Sequence, residues 1–235
     1  MNRSSEAEQQ GDQGLDRRVD AAARANGRAP LSLSIQWPIL RLTRGMGNMV
    51  EAYKNFFSMR PTDVRTMYLE KARAADEQGQ PGRAITYLLR AVAVEPDNVE
   101  TLYELGMAHE KNGEWAPASE VYQRVIDLEP NHAKAHYRSG VVCLRLQKLD
   151  EAKAAFEKAL GLEGDSAELL YRLGQVYDRS GEHKRAVEFF TKAVELQPDF
   201  LQAYKNMALC YDSLNRHKDA LSCLKRALEL EEMST

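Results

Sequence analysis

The chain has 235 residues, of which 43% are hydrophobic and 29% are charged, a balance typical of a folded protein. Its formal net charge of -3 excludes the strongly basic surface of proteins that bind nucleic acid, so we expect no nucleic-acid partner. Three cysteines, Cys143, Cys210 and Cys223, are an odd number without regular spacing. This argues against a disulfide framework and favours a reducing compartment, where buried cysteines pack as small hydrophobic residues.

The first 29 residues contain many charged and small polar side chains and few apolar ones. Such a segment buries too little apolar surface to offset the entropy of ordering, so we expect residues 1–29 to be a disordered tail. The tail lacks the apolar core of a secretory signal, and no run of about 20 apolar residues occurs along the sequence. We therefore expect a cytoplasmic protein.

Residues 30–41, PLSLSIQWPILR, are the most apolar segment before the repeats begin. The segment is too short to cross a bilayer, and Pro38 interrupts it. Two interpretations remain open. The segment packs as a strap on the first repeat, or it contacts a membrane surface or a partner through Trp37, Ile39 and Leu40.

Residues 46–59 are predicted to form an amphipathic helix, because apolar side chains recur along them at helical spacing. This helix matches the second half of the repeat described below, and no matching first half precedes it. Residues 30–64 are therefore predicted to contain a degenerate half-repeat. Its apolar side must be covered either by residues 30–41 or by another molecule.

From Arg65 onward the sequence repeats every 34 residues, a period that is characteristic of a solenoid. The five predicted repeats cover residues 65–98, 99–132, 133–166, 167–200 and 201–234. Position 20 is alanine in every repeat: Ala84, Ala118, Ala152, Ala186 and Ala220. Position 8 is alanine or glycine, and position 24 has a large side chain. Small side chains at positions 8 and 20 allow two helices to approach closely, and the residue at position 24 fills the neighbouring gap.

The ends of the helices can also be predicted from the repeat. A glycine at position 15 should end the first helix in three repeats, at Gly79, Gly113 and Gly181. A proline at position 32 should end the second helix, at Pro96, Pro130 and Pro198. Each repeat is therefore predicted to be a pair of helices.

The spacing L-x2-L-G-x2-H, A-x3-Y and P in residues 102–130 resembles the tetratricopeptide repeat, whose motif is W-x2-L-G-x2-Y, A-x3-F and P. The fourth repeat carries a closer copy, with Leu170, Leu173, Gly174, Tyr177, Ala186, Phe190 and Pro198. The resemblance covers residues 65–234. It implies an all-α, right-handed solenoid of five helix-pair repeats, preceded here by the degenerate half-repeat.

In this family, the first helices of successive repeats line a concave groove. Position 5 is tyrosine in three consecutive repeats, at Tyr103, Tyr137 and Tyr171. Basic side chains follow at neighbouring positions, namely Lys134, Arg138, Arg145, Arg172 and Arg179, while Glu110 and Glu168 dilute their charge. We predict that the groove binds acidic or C-terminal peptide segments. The alternative is a merely solvated inner face.

The sequence contains no nucleophile elbow, phosphate-binding loop, dinucleotide-binding motif or paired-cysteine metal motif. We expect no catalytic residues, no cofactor and no enzymatic activity, since the repeats leave no room for a catalytic domain. His132 and His136 are four residues apart, which suits a metal ion on one helix face. However, His136 occupies a packing position, so we assign both a structural role and expect no metal site.

Three segments resemble the magnetosome-associated branch of the repeat family: GMGNMVEAYKNFFSM at 45–59, FEKALGLEGD at 156–165 and YDSLNRHKDALSCLKRALELEE at 211–232. This resemblance implies a peripheral protein on the cytoplasmic face of the magnetosome membrane, attached through a membrane protein. It also implies a scaffold needed for magnetosome activation and magnetite formation.

The same resemblance implies large homo-oligomers that assemble through the degenerate half-repeat. The side chains implicated in self-assembly are Met49, Tyr53, Phe56, Phe57 and Met59. The alternative function is a repeat adaptor that binds a peptide partner in another bacterial assembly pathway, such as pilus or secretion assembly.

Overall fold

The computed structural model describes residues 60–234. Within these residues the backbone forms ten α-helices and no β-strand. This confirms the predicted all-α fold of consecutive helix pairs. The predicted tail at residues 1–29 and the apolar strap at residues 30–41 lie outside the described residues, as do the self-assembly side chains from Met49 to Met59.

The helices alternate between the first and the second member of a pair. The first members are α1 (Pro61–Glu77), α3 (Val99–Lys111), α5 (Ala133–Arg145), α7 (Ala167–Arg179) and α9 (Leu201–Ser213). The second members are α2 (Pro81–Val94), α4 (Trp115–Leu128), α6 (Leu149–Glu163), α8 (His183–Leu196) and α10 (His217–Ser234). Among them, no helix has both the length and the apolar composition that crossing a membrane requires.

The chain divides into two compact units, with the boundary between Leu105 and Gly106. In the described part of the first unit, α1 packs against α2. Arg65 of α1 adds polar contacts, because its Nε lies 2.9 Å from a carboxylate oxygen of Glu95 and its Nη1 donates to Thr101 Oγ1 at 3.5 Å. One side chain thus connects α1 with the end of α2 and the beginning of α3.

In the second unit, every helix from α4 to α10 packs against the next one along the chain. The alanines at position 20 and the aromatic residues at position 24 form the centre of this packing. They are fully buried: Ala118, Tyr122, Ala152, Phe156, Ala186 and Phe190. The period of 34 residues therefore places equivalent side chains at equivalent helix contacts.

Glycine at position 8 allows an aromatic ring to lie directly against the backbone of the first helix. A Cβ atom added to Gly174 would lie 2.5 Å from Cε1 of Phe190. Equivalent added atoms would lie 2.7 Å from Phe156 at Gly140 and 2.5 Å from Tyr122 at Gly106. Since real side-chain carbons do not approach this closely, glycine is required beneath each ring.

The first and the fifth repeats use a different combination at the same two positions. There position 8 is alanine and position 24 is leucine, as in Ala72 with Leu88 and Ala208 with Leu224. A methyl group at position 8 thus accompanies a smaller side chain at position 24. In the first repeat both side chains are buried, as expected when two side chains share one fixed volume, whereas Leu224 of the fifth repeat is 50% exposed.

The turn after each first helix contains a residue with positive φ. Gly79, Gly113 and Gly181 have φ angles of 69°, 76° and 77°, which confirms the predicted glycine stops. The third and fifth repeats adopt the same conformation with Gln147 and Asn215, at 61° and 58°. The turn is therefore set by the packing of the helix pair even where glycine is absent.

Candidate peptide-binding groove

Two neighbouring first helices, α5 and α7, carry most of the side chains predicted to line the groove. Tyr137 and Arg138 lie on α5, and Tyr171 and Arg172 lie at the equivalent positions of α7. The two helices are in contact within the second unit. We call the surface formed by these four side chains, together with Asn206 of α9, the groove face.

A hydrogen-bonded triangle occupies the middle of the groove face. The Tyr137 hydroxyl donates to Glu168 Oε1 at 3.0 Å, and it accepts from Arg172 Nε at 3.4 Å. Arg172 Nη2 lies 2.7 Å from the same carboxylate oxygen. Burial raises the pKa of Tyr137, although the positive charge of Arg172 opposes this shift. The phenol therefore stays protonated at neutral pH and remains a donor.

Tyr171 presents its hydroxyl rather than its ring to the groove face. The side chain is only 7% exposed, because its ring packs 4.7 Å from the ring of Phe200 and 5.6 Å from that of Phe190. Its hydroxyl accepts from Gln175 Nε2 at 2.9 Å and from Asn206 Nδ2 at 3.2 Å. Tyr171 thus acts as a core residue with a polar edge.

Two of the predicted basic side chains, Arg138 and Arg172, lie beside carboxylates. Arg138 Nη1 is 3.5 Å from an oxygen of Glu110, while Arg172 pairs with Glu168. A guanidinium has five N–H donors, so each arginine can donate to a ligand carboxylate while it remains paired with its own glutamate. The groove face therefore combines directional donors with a nearly balanced charge.

Arg145 and Arg179 do not join this network. Arg179 Nη1 donates to the Leu144 carbonyl oxygen at 2.9 Å, near the end of α5. The guanidinium of Arg145 lies over the ring of Trp115, with 5.6 Å between Cζ and the ring centroid. Both side chains hold neighbouring elements together at the ends of first helices. Tyr103 belongs to the first unit and is half-buried on α3.

Lys134 is exposed on the first turn of α5. Next to the groove face, Gln175 donates to the same Tyr171 hydroxyl as Asn206 does. Sequence reasoning did not select these two amide side chains. Gln175 occupies position 9, which belongs to the groove-lining set of the family, so the period alone would have identified it. Asn206 occupies position 6, the position at which the two preceding repeats have the arginines predicted to line the groove.

His132 and His136, whose spacing suits a metal ion, have backbone partners. His132 caps α5, since its Nδ1 accepts from the Ala135 N–H at 3.1 Å. His136 Nε2 lies 2.9 Å from the Pro130 carbonyl oxygen, to which it donates. Each histidine thus connects α5 to the turn that precedes it.

Comparison with protein families supports the repeat assignment. Models of the tetratricopeptide repeat match residues 131–199 and 201–233. A model of subunit 3 of the anaphase-promoting complex, or cyclosome, matches residues 77–159. A search of curated proteins finds no match.

Solved structures with the same fold include several of MamA. A crystal structure of MamA protein is 30% identical, with a TM-score of 0.68, over 73% of this chain and 93% of that chain. MamA from Desulfovibrio magneticus RS-1, from residue 41 to the end, is 27% identical, with a TM-score of 0.70, over 73% and 97% of the two chains. YrrB, a repeat protein with an unusual peptide-binding site, shares the fold at 18% identity, with a TM-score of 0.61 over 70% and 85%.

The repeats make this chain a scaffold for protein–protein interactions, since stacked helix pairs present extended surfaces to other proteins. The match to MamA covers nearly the whole length of the solved protein. The chain therefore belongs to the MamA family of tetratricopeptide-repeat proteins.

Proposed function

We propose that the chain is a non-catalytic scaffold that assembles with itself and recruits partners at the cytoplasmic face of the magnetosome membrane. In that role it would support magnetosome activation and magnetite formation. The observation that carries the proposal is the 30% identity to MamA over 93% of the solved chain. A match of this length indicates the same arrangement of repeats, and this shared arrangement supports the proposal.

The proposed self-assembly element is the degenerate half-repeat at residues 30–64. The sequence predicts an amphipathic helix there and shows no first-helix motif before it, so a second copy of the chain is the proposed cover for the apolar side of that helix. Membrane attachment is proposed to involve Trp37, Ile39 and Leu40, either directly or through a membrane protein. These assignments rest on the sequence and on the family resemblance.

The groove face is the proposed recruiting surface. Arg138 and Arg172 offer N–H donors to carboxylates, and the Tyr137 hydroxyl adds a polar contact beside them. An extended peptide with acidic side chains or a free C-terminal carboxylate matches these donors. The same surface is the observation that favours the second candidate function, a peptide-binding adaptor in another bacterial assembly pathway.

We expect the groove face to bind an acidic peptide with an affinity that falls as salt is added. The screening length shrinks from about 30 Å at about 0.01 M salt to about 8 Å at about 0.15 M. Fluorescence anisotropy with a labelled Glu-rich peptide would measure the change. The same peptide with an amidated C-terminus separates the contribution of the terminal carboxylate from that of the side chains. An affinity that is constant over this range would contradict the proposed charge-based recognition.

A further inference from the structure

Three side chains with metal-binding atoms converge where the fourth repeat meets the fifth. Asp178 lies near the end of α7, His183 is the first residue of α8, and Cys210 lies in α9. His183 Nδ1 is 3.0 Å from Asp178 Oδ1, and Cys210 Sγ is 3.1 Å from the same oxygen. All three donor atoms lie within 4.8 Å of one another. Within residues 60–234 no second group of three such donors is this compact.

The three side chains differ in their access to solvent. Cys210 is fully buried, whereas the side chains of Asp178 and His183 are 33% and 30% exposed. The thiol therefore forms the floor of the cluster, and the carboxylate and imidazole form its rim. An ion can approach from solvent, and a water molecule can reach the outer side of a bound ion.

The donor set matches the chemistry of zinc. Thiolate, imidazole and carboxylate are the three protein ligand types that Zn²⁺ takes, at about 2.0–2.3 Å from the ion. Tetrahedral ligands at those distances lie about 3–4 Å from one another. The cluster needs only small side-chain adjustments to reach that geometry. Mg²⁺ and Ca²⁺ prefer all-oxygen sites, so the thiol and the imidazole argue against them.

We propose that Asp178, His183 and Cys210 form a Zn²⁺ site with water as the fourth ligand. The bound ion would join α7, α8 and α9 and so connect two consecutive repeats. In the metal-free protein the Asp178 carboxylate accepts from both the thiol and the imidazole N–H. On binding, the Cys210 proton is released to solvent and the sulfur lone pair is donated to Zn²⁺. The His183 imidazole loses its Nδ1 proton to solvent and takes up a proton on Nε2, so that the Nδ1 lone pair becomes available to the ion.

Burial and the neighbouring Asp178 carboxylate raise the pKa of the Cys210 thiol in the metal-free protein. A divalent ion reverses this preference, since a coordinating thiol loses its proton outright. Zn²⁺ binding should therefore release protons and weaken as the pH falls.

The next repeat provides an internal control. Asp212 and His217 occupy the same two positions as Asp178 and His183, and His217 Nδ1 lies 2.9 Å from Asp212 Oδ1. These side chains are 70% and 67% exposed. The carboxylate–imidazole pair is thus a recurring contact of the turn between the two helices. What distinguishes the fourth repeat is the buried thiol of Cys210, supplied by the following repeat.

The site can be tested with Co²⁺ as a spectroscopic probe on the full-length, reduced protein. We expect a thiolate-to-cobalt charge-transfer band that saturates at one ion per chain and is displaced by Zn²⁺. The chain contains only three cysteines, so the band must report on one of them. Cys210→Ser and His183→Ala should each weaken Co²⁺ affinity by at least about tenfold, whereas Cys143→Ser, Cys223→Ser and His217→Ala should leave it unchanged.

Because Cys210 is buried, Cys210→Ser could lower metal affinity by disturbing the packing. His183→Ala avoids this ambiguity, since His183 is partly exposed at the start of a helix and its loss should not disturb the core. Zn²⁺ should also raise the melting temperature of the wild type and leave that of His183→Ala unchanged. The proposal is overturned if the wild type shows no band. It is equally overturned if the band persists at full affinity in His183→Ala, which would indicate adventitious binding to a thiol.

Discussion

Replacement of Gly174 with alanine is expected to destabilise the protein by about 2–3 kcal/mol, the usual cost of overpacking a well-filled core. The added Cβ would lie 2.5 Å from Cε1 of Phe190, whose side chain is fully buried. The ring cannot move away without displacing α8 from α7. The loss is measured as a change in the free energy of unfolding in urea.

Gly161→Ala is the matched control, because the same substitution should there increase the free energy of unfolding rather than decrease it. Gly161 lies inside α6, and a Cβ added to it would meet no atom within 4 Å. Alanine is favoured over glycine in a helix by up to about 1 kcal/mol. A protein that loses stability at both positions would indicate a general intolerance of alanine rather than a specific collision with the ring.

The double variant Gly174→Ala/Phe190→Leu tests the cause directly. The first and fifth repeats already combine alanine at position 8 with leucine at position 24, as in Ala72 with Leu88. We expect the double variant to be about as stable as Phe190→Leu alone, since the smaller side chain makes room for the methyl group. If the costs of the two single changes simply add, the ring is not what Gly174 accommodates.

Charge reversal at Arg138 and Arg172 is expected to weaken binding of an acidic peptide by at least about tenfold. Both substitutions remove guanidinium donors from the groove face, and the removal of a charged hydrogen bond typically costs about 1.5–3 kcal/mol. The new carboxylates would also lie close to Glu110 and Glu168, which pair with the arginines in the wild type. The resulting group of four carboxylates would repel the acidic peptide, which adds to the loss of affinity.

Lys158→Glu/Lys184→Glu provides the control for net charge. Both lysines are exposed on second helices, α6 and α8, so the control changes the total charge by the same amount without altering the groove face. Fluorescence anisotropy would compare the two double variants, and circular dichroism would confirm that both are folded. Full affinity in Arg138→Glu/Arg172→Glu would mean that the peptide binds elsewhere.

The fold could be predicted from the sequence because the side chains that make the helix contacts recur with a fixed period. A contact that recurs every 34 residues appears five times, so the small residue at position 8 and the large residue at position 24 are evident without coordinates. The helix ends at Gly79, Gly113 and Gly181 are predictable for the same reason, and the structure shows that these glycines adopt positive φ. Gln147 shows that the turn geometry persists where the sequence gives no glycine to indicate it.

The details of the groove face could not be predicted, because they depend on contacts between different repeats. Tyr171 is buried since Phe200, which precedes α9, covers its ring. Position within the repeat indicates that Tyr171 faces the groove but not what lies above it. Likewise, Arg172 is predictable as a cation, whereas its bond to the Tyr137 hydroxyl arises only when α5 and α7 pack together.

The cysteine cluster illustrates the same limit. The sequence predicts Cys210 as a buried residue in a helix, and the structure places it there. Its carboxylate neighbour, Asp178, is 32 residues away in the preceding repeat. The Asp178–His183 pair recurs as Asp212–His217, but no motif with fixed spacing links Cys210 to that pair, so only the packing of consecutive repeats shows that the three donor atoms meet.

The central proposal, a scaffold that assembles with itself through its N-terminal part, is tested most directly by molar mass in solution. Multi-angle light scattering should be recorded for the full chain and for a version that begins at Arg60, which retains all ten helices from α1 onward. The proposal predicts that the full chain forms assemblies of many times the 26.6 kDa monomer mass and that the shortened chain is monomeric. A full chain that elutes as a monomer at every concentration would contradict it.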